Sequence, residues 1–423
     1  MGIINWLKDY WHDIKKSSGK TFKNVVLTAH FWVILIAVAL MITSGILIFN
    51  TLNARRDQDL GKIWQNDGKT SFRQMSVFAQ GNRKDIYAPL EAIDEKSLTW
   101  KSVMDNENGI RKKLQGTVDS GKTIVTKPGQ QIKPRGWEDC FSTTFMTKGN
   151  ITKEATINGE IKTADVEFES EVVAVGGNFA AFHPYEYMDG GFLPIDVKDP
   201  YQIVINDELA WKLYRSYSVV GEKIQVFGED CTIVGVVREK RTSIDKISGA
   251  SEPRLFCYFS TVRDLKEKGY FDATAEADND SKAAASYPDI AITCYEAFLP
   301  EVVKGVARSD MLAALPSYNM QDPQYLITSN TGRFRVDKVY DFVMPLGEFQ
   351  AKYSSYEFPY WERTAQLSTE RLFVMEAVGV AGVILFIIGI IIAILRLRKP
   401  GGKFDTVEED EPEEETNIAI QMT

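Results

Sequence analysis

Two long apolar runs without a charged side chain constrain this sequence more than any other feature. No Asp, Glu, Lys or Arg occurs from Asn24 to Ala54 or from Ala377 to Leu395. A hydrocarbon layer about 30 Å thick is crossed by roughly 20 helical residues, and each run supplies about that length. The first run is too long for a cleavable signal peptide, and no small-residue cleavage site follows it. We therefore predict transmembrane helices over 24–54 and 377–395, rather than two buried helices of a soluble core.

The basic residues beside these runs predict the orientation of the chain. They accumulate before the first run and after the second. They are Lys8, Lys15, Lys16, Lys20, Lys23, Arg396, Arg398, Lys399 and Lys403. Positive side chains collect on the cytoplasmic side of a membrane. We therefore expect both termini in the cytoplasm and residues 55–376 outside it.

The two cytoplasmic ends differ in character. Residues 1–23 place Ile3, Leu7 and Tyr10 on one helical stripe, with charged residues on the other side. Such a stripe predicts a helix that lies in the headgroup layer or packs on a partner subunit. Residues 396–423 begin basic and continue acidic. This composition predicts a disordered tail, either simply solvated or docking a basic partner.

The residue pattern between the two apolar runs predicts an α+β domain on a helical stalk. The predicted strands are 155–168, 171–175, 201–205, 222–227, 231–237, 254–259 and 289–294. Two glycine-bearing turns, at Asn158-Gly159 and at 228–230, predict hairpins. Asn206 is expected to cap a helix over 207–214. Helix-permissive residues at 55–66 and 360–376 predict the stalk, and an Ala/Asp/Ser-rich stretch at 273–286 predicts a mobile loop.

Charge and motif content exclude several classes of function. The net charge is −9, whereas nucleic-acid binding requires a basic surface. Gly116 to Thr123 satisfies the phosphate-binding pattern G-x-x-x-x-G-K-T, but the charged segment IRKKLQ precedes it where an apolar strand is required. We interpret it as a glycine-bearing turn between short strands. His183 has no Cys or second His beside it in the sequence, so no metal site is predicted. Since no nucleophile–base constellation is recognisable, we expect a non-enzymatic protein without a cofactor.

All four cysteines fall in the segment expected outside the cytoplasm: Cys140, Cys231, Cys257 and Cys294. An even number in an oxidising compartment permits two disulfides. A cysteine in a strand is, however, often just a small buried apolar residue. Disulfides and free thiols remain alternatives, and Cys257–Cys294 is the first candidate pair if their strands are neighbours.

A pattern of glycines and aromatic residues over 166–260 resembles a known family. It includes VVAVGGNFAAFHPYEYMDGGFLPIDV and YQIVINDELAWKLYRSYSVVGEKIQVFGEDCTIVGVV. The matching positions are Val175, Gly176, Phe179, Phe182, Gly190, Gly191, Phe192, Asp196, Val204, Ala210, Gly221, Ile224, Gly228, Val234, Gly235 and Val236. They resemble the MacB-like periplasmic core domain of bacterial ABC transporter permeases, in the branch called mechanotransmission or type VII. The resemblance implies a porter-like subdomain, a smaller inserted α/β subdomain and a place in the bacterial inner membrane.

The resemblance also implies partners. Permeases of this family carry four spans, whereas this sequence shows two and contains no ATPase domain. We therefore expect a non-catalytic membrane subunit, in a homo- or hetero-oligomer, whose outside domain couples to or presents substrate for a partner permease and a separate ABC ATPase. The alternative is a membrane-anchored sensor or interaction protein that binds a peptide, a lipid or an envelope ligand outside the cell.

Six positions are candidates for structural or coupling roles under the first hypothesis. They are Gly176, Gly190, Gly235, Trp361, Leu367 and Leu372. The three glycines are expected at turns or at places of close packing. The three stalk residues are expected to pass motion to the second span.

Overall fold

The structure, a computed structural model, describes residues 29–62, 64, 71–105, 108–120, 137–157, 160–271, 289–316, 325–339 and 356–398. The chain divides into two compact units. One comprises residues 48–374, and the other contains the helical residues up to 47 and from 375. The predictions for residues 1–23, 273–286 and the tail beyond residue 398 lie outside the described residues.

The α-helices and strands alternate irregularly along the chain. The helices are α1 (Ala29–Ala54), α2 (Trp100–Met104), α3 (Ile110–Ser120), α4 (Phe179–Phe182), α5 (Asp207–Tyr214), α6 (Ser243–Ile247), α7 (Phe259–Glu267), α8 (Val306–Ala314) and α9 (Tyr360–Arg398). The strands are β1 (Ser71–Ala79), β2 (Glu138–Ile157), β3 (Glu160–Gly177), β4 (Glu186–Gly190), β5 (Gln202–Asn206), β6 (Lys223–Val226), β7 (Glu229–Arg238), β8 (Arg254–Tyr258), β9 (Cys294–Glu301) and β10 (Tyr325–Ser329). The α+β prediction is confirmed.

The strands form one mixed sheet in the order β10-β1-β9-β2-β3-β8-β5-β7-β4, with β6 pairing with β2 and β7. Its centre is the antiparallel β2–β3 hairpin, paired from Ile157↔Glu160 to Cys140↔Gly177. The β3–β8 and β5–β7 pairs are parallel, and the other pairs are antiparallel. The hairpin predicted around Asn158-Gly159 is therefore confirmed by its strands, which extend well beyond the predicted 155–168.

Several local predictions in the second half of the sheet are also confirmed. β6 and β7 pair antiparallel across the turn predicted at 228–230. The Asn206 side chain accepts a hydrogen bond from the Leu209 backbone N–H at 3.0 Å and so caps α5. The last predicted strand is displaced, because residues 290 and 291 form only isolated bridges and the ladder of β9 begins at Cys294.

Apolar side chains are buried in two large clusters. Residues that alternate along a strand belong to different clusters, because they point to opposite faces of the sheet. On β2, Phe141 belongs to the larger cluster and Cys140 to the smaller one. On β9, Tyr295 and Phe298 divide in the same way. Because neighbouring side chains point to opposite faces of a sheet, both faces of its centre are covered.

The two apolar runs form helices long and apolar enough to cross a membrane, over His30–Ala54 and Tyr360–Leu395. Within the helical unit, α1 and α9 pack together at glycines of α9. A Cβ on Gly382 would lie 3.2 Å from the Ala37 carbonyl oxygen, and the Ser44 hydroxyl donates to the Met375 carbonyl at 2.6 Å. Small residues of this kind let two helix backbones approach closely in a lipid environment.

Of the two segments predicted to be helical in the stalk, residues 360–376 are helical, whereas the described residues of 55–66 do not prolong α1. α9 starts at Tyr360 and runs unbroken to Arg398. α1, however, ends at Ala54 and is followed by short 3₁₀ turns, Arg56–Gln58 and Leu60–Lys62. Polar side chains at this point bond within the domain instead of continuing the helix; the Asp59 carboxylate, for example, accepts from the Gly332 backbone N–H.

The G-x-x-x-x-G-K-T segment is neither a phosphate loop nor a turn between strands in its described part. Residues 116–120 are the second half of α3. The Thr117 hydroxyl donates to the Lys113 carbonyl at 3.1 Å, as in a regular helix. A phosphate loop requires a strand that leads into a helix N-terminus, and here a helix leads in.

Candidate functional site

Among the described residues of the domain, the most buried charged side chain is Arg254, the first residue of β8, which is 0% exposed. Its guanidinium donates to Glu239 at 2.5 Å, to Glu171 at 2.6 Å and to the Gly249 carbonyl at 2.8 Å. The same guanidinium lies 3.8 Å from the ring centroid of Tyr360, at the start of α9. A buried charge is tolerated only when it is paired and hydrogen-bonded in this way. Arg254 thus connects β3, β8 and the residue that follows β7 with the first turn of α9.

Burial sets the protonation states around Arg254. It raises the pKa of Tyr185 and Tyr360, whose hydroxyl groups hydrogen-bond each other at 2.8 Å. Burial also raises the pKa of Glu239, and the opposing attraction of Arg254 reduces that effect without reversing it. The tyrosines therefore serve as neutral hydrogen-bonding groups, and neither is an acid or base near neutral pH.

The first turns of α9 are polar and nevertheless buried. Arg333 donates two hydrogen bonds to the Glu362 carboxylate, at 2.7 and 2.9 Å, and both side chains are 3% exposed. The Thr364 hydroxyl hydrogen-bonds that of Ser248. Removing one partner of a buried pair leaves an uncompensated charge, so these contacts hold the first turns of α9 within the domain.

A second buried ion pair lies near the end of α1. The Arg55 guanidinium contacts Asp245, the N3 residue of α6, and both side chains are at most 4% exposed. Asp245 also completes a capping box with Thr242. The residues that follow α1 and those that begin α9 are both anchored in the domain by ionic contacts.

A cavity of about 530 Å³ lies beside these anchors. Aromatic side chains line it, among them Phe182, Tyr185 and Tyr360. Its basic side chains are paired with acidic neighbours, in Arg55–Asp245, Arg238–Glu186, Lys240–Asp57 and Arg241–Asp207. Because these charges neutralise one another, the cavity suits an uncharged or zwitterionic ligand better than a strongly ionic one.

His183, which the sequence left isolated, has two potential partners in the fold. Its Nε2 lies 2.5 Å from Oε2 of Glu296, and Sγ of Cys140 lies 4.0 Å from the same oxygen. The ring is packed between Phe179 and Trp361, with centroid distances of 4.4 and 4.5 Å. β2, β9 and the end of α4 bring these residues together from positions up to 156 apart, so local spacing carries no signal for the cluster.

The Cys140 thiol has no features of an activated nucleophile. It is 1% exposed, and burial together with the charges of Glu296 and Cys294 raises its pKa well above the ordinary value. A thiol becomes reactive when its pKa is lowered by cations or a helix N-terminus. The cluster therefore lacks the lowered thiol pKa that is typical of a Cys–His catalytic pair.

The structure gives each predicted glycine a specific constraint. A Cβ on Gly176 would collide with the ring of Phe141, its partner across β2–β3. Gly190 has a φ of +63°, and a Cβ there would meet the Val234 carbonyl. A Cβ on Gly235 would meet the Gly191 carbonyl.

The three stalk candidates differ in their surroundings. Trp361 is 8% exposed and contacts Phe179 and His183. Leu372 is 0% exposed, in a cluster with Phe334. Leu367 is only partly buried and belongs to none of the described clusters.

The Cys257–Cys294 disulfide is not formed. All four cysteines are buried free thiols. Strands β2 and β3 separate β8 from β9 in the sheet. With neighbouring strands about 4.8 Å apart, that separation far exceeds the Cα distance that a disulfide can bridge. The prediction failed because it assumed that the two strands were neighbours.

Sequence reasoning missed the ionic anchors of the two helices. One signal was available for Asp245, because Thr242-Ser-Ile-Asp245 has the capping-box pattern that predicts a helix start. An arginine at the head of an apolar strand, as in Arg254-Leu-Phe-Cys, also indicates a buried partner. The identity of that partner depends on the sheet order, which no local pattern contains.

Comparison with known proteins finds a family similarity over part of the chain. Residues 107–290 match the family model of the MacB-like periplasmic core domain. A search of the curated proteins found no match. Two solved structures are similar. The extracellular domain of the noncanonic ABC-type transporter YknZ from Gram-positive bacteria has 10% identity and a TM-score of 0.33, covering 60% of this chain and 99% of that one. The periplasmic region of MacB from Actinobacillus actinomycetemcomitans has 11% identity and a TM-score of 0.36, covering 70% and 98%.

The matched range contains residues 166–260, on which the sequence resemblance rested. It includes the β2–β3 hairpin, α5, and the β6–β7 hairpin, so the sheet described above is built largely from it. Residues 107–290 of this chain are therefore similar in sequence to the MacB-like periplasmic core domain.

Proposed function

We propose that this chain is a non-catalytic membrane subunit of a bacterial ABC-type transport or mechanotransmission assembly. In this role α1 and α9 span the inner membrane, both termini are cytoplasmic, and the domain of residues 48–374 lies outside. The domain couples mechanically to a partner permease, or presents substrate to it, and a separate ATPase supplies the energy.

The observation that carries the proposal is the construction of α9. Its first turns are held by buried pairs such as Arg333–Glu362, and the same helix contains the apolar run without a break. The backbone hydrogen bonds of an unbroken helix keep it stiff, so a displacement at one end is passed along its length. A domain that only needed an anchor would not require buried ionic contacts at the helix start.

Affinity purification of the full chain from native membranes, followed by quantitative mass spectrometry, tests this role. We expect an ABC ATPase and a permease to be recovered in a constant ratio to the chain. Repeated recovery of the intact chain without either partner would contradict the proposal.

A second candidate is a sensor that binds an envelope ligand, and the cavity of about 530 Å³ favours it, since this volume is typical of small-molecule sites. Deletion of residues 401–423 separates the two candidates. Under the transport proposal, recovery of the ATPase and permease is unchanged by the deletion. A sensor that recruits its cytoplasmic partner through this tail loses its output.

The topology is tested by attaching a reporter enzyme at either terminus. A reporter that is active only in the cytoplasm is expected to work at both ends of the chain. Activity at one end alone would contradict the two-pass arrangement.

A further inference from the structure

We propose that Cys140, His183 and Glu296 form a binding site for one divalent metal ion, and that zinc is the metal their chemistry favours. Sγ of Cys140, a ring nitrogen of His183 and a carboxylate oxygen of Glu296 all lie within 4.8 Å of one another. Thiolate, imidazole and carboxylate are the three ligand types that zinc takes in proteins. The inference does not depend on the proposed transport role.

The distances are close to those of a coordinated ion. Zinc bonds of about 2.3 Å to sulfur and about 2.0 Å to nitrogen or oxygen imply tetrahedral ligand separations of roughly 3.3–3.5 Å. The thiol of Cys140 lies 4.0 Å from Oε2 of Glu296, and Nε2 of His183 lies 2.5 Å from the same oxygen. On binding the ion, the sulfur–oxygen distance must shorten and the nitrogen–oxygen distance must lengthen, each by under about 1 Å. Small side-chain rotations can supply these changes.

Neighbouring side chains orient the carboxylate of Glu296. Ser76 donates to its Oε1 at 2.6 Å and Gln74 donates to the same atom at 3.2 Å. The Asn330 amide in turn donates to the Ser76 hydroxyl at 2.7 Å. The other oxygen, Oε2, is thereby directed at His183 and Cys140. Outer hydrogen bonds of this kind typically fix the orientation of metal ligands.

A small cavity of about 30 Å³ borders His183 and Glu296. This is room for one water molecule or one ion. Gln74 and Asn330 also line the cavity, and their side-chain oxygens are buried without a hydrogen-bond donor among the described residues. Gln74 as a whole is only 3% exposed. Because both amides use their N–H groups in the Glu296 network, their oxygens remain as acceptors beside this cavity. A cation, or a water molecule bound to it, would give these oxygens the partner that they lack.

Charge balance favours a divalent ion at this depth. Cys140 and Glu296 are each 1% exposed, and as thiolate and carboxylate they carry two negative charges. A divalent cation with the neutral His183 ring makes the centre neutral overall, which limits the desolvation cost. A thiolate ligand also disfavours magnesium and calcium, which bind through oxygen.

The first experiment uses the full chain without substitutions, purified in detergent, stripped with a chelator and titrated with zinc. We expect one equivalent of zinc per chain and a thermal unfolding midpoint that rises with zinc concentration. Cobalt, added instead of zinc, is expected to give a cobalt–thiolate charge-transfer absorption. Absence of stoichiometric binding, or cobalt binding without a thiolate band, would overturn the proposal.

Substitutions assign the ligands. We expect Cys140→Ser and His183→Gln to weaken zinc binding by at least about 100-fold, and Ser76→Ala, which only orients Glu296, by about 10-fold. Cys294→Ser is the matched control, because Cys294 is an equally buried thiol on the adjacent strand and is absent from the cluster. This control keeps full affinity and the cobalt–thiolate band. Equal affinity in the control and in Cys140→Ser would refute the site, and the unliganded unfolding midpoints show which variants are folded.

Discussion

Gly235 lies where two backbone segments of the domain come close together. It pairs with Gly190 in the β4–β7 ladder, and a Cβ added to it would strike the Gly191 carbonyl oxygen. We predict that Gly235→Ala lowers the free energy of unfolding by about 1–3 kcal/mol, because the strands must move apart. Denaturant titration of the full chain measures this. Gly191→Ala is the control, since a Cβ there meets nothing within 4 Å; equal losses in both variants would contradict the packing argument.

Glu91 is a carboxylate held by two lysines. Lys266 and Lys84 both form ion pairs with it, the second at 2.5 Å. Burial alone would raise the pKa of Glu91, but the two lysines outweigh it and the pKa is lowered from 4.5. A carboxyl group with a lowered pKa stabilises the fold above its unfolded pKa, and this contribution is lost as the pH falls through the folded pKa.

We therefore predict that Glu91→Gln costs about 1 kcal/mol of stability at pH 7 and that the difference from the wild type disappears at acid pH below the folded pKa. Unfolding free energies measured across this pH range test the prediction. Glu95→Gln, at an exposed neighbouring carboxylate, is expected to change little at any pH. A loss in Glu91→Gln that persists undiminished in acid would show that its side-chain packing, and not its charge, matters.

At the residue scale, the sequence predicted the conformational constraints on glycines better than the partners of buried charged side chains. Gly176, Gly190 and Gly235, the three glycines predicted to have structural roles, occupy positions where a Cβ collides or φ is positive. The roles of Arg254 and His183 depend on Glu239, which follows β7, and on Glu296 in β9. A glycine requirement is local, whereas a buried ion pair depends on which strands the fold places side by side.

The side chains in the first turns of α9 are buried to different extents, so its leucines are expected to differ in their contribution to stability. Leu372 is 0% exposed and packs with Phe334 and Val339, whereas Leu367 is only partly buried. We predict that Leu372→Ala costs about 2–4 kcal/mol through lost burial and a residual cavity, and Leu367→Ala clearly less. Unfolding of the two variants in the same detergent compares them. A larger loss for Leu367→Ala would mean that α9 packs through a different face.

At the element scale, prediction succeeded where one short segment specifies its own structure. Asn206 before an amphipathic stretch predicted α5 and its cap, and the glycine turns predicted two hairpins. The run 110–120 was misjudged, because Gly116 suggested a turn although the apolar residues Ile110, Leu114 and Val118 follow a helical period. β1 and β10 were missed altogether. They pair with each other and β1 also with β9, so their identity as strands depends on partners remote in sequence.

At the scale of the whole chain, the acidic composition hides two apolar helices that belong to one unit. α1 and α9 meet at small residues: Gly379 lies against Ser44, Gly382 against Ala37, and Gly389 against Ile34. In lipid, where apolar burial cannot drive association, such close packing is what holds helices together. The sequence predicted both helices from length and charge but contained no pattern that fixed this pairing.

The pairing of α1 and α9 predicts a specific cross-link. A Cβ at position 379 lies 3.5 Å from the Cβ of Ser44, within the range that a disulfide requires. We expect the double variant Ser44→Cys, Gly379→Cys to form this bond under mild oxidation in native membranes, detected by mass spectrometry of the linked peptides. Ser44→Cys with Val380→Cys is the matched control, because Val380 is 60% exposed on another side of α9. Adjacent residues of an α-helix lie about 100° apart around its axis, so position 380 faces away from the side of α9 that meets Ser44. Only the first pair is therefore expected to link. Cross-linking of the control pair instead would show that α9 is rotated against α1, and the glycines would then have to face the lipid or another subunit.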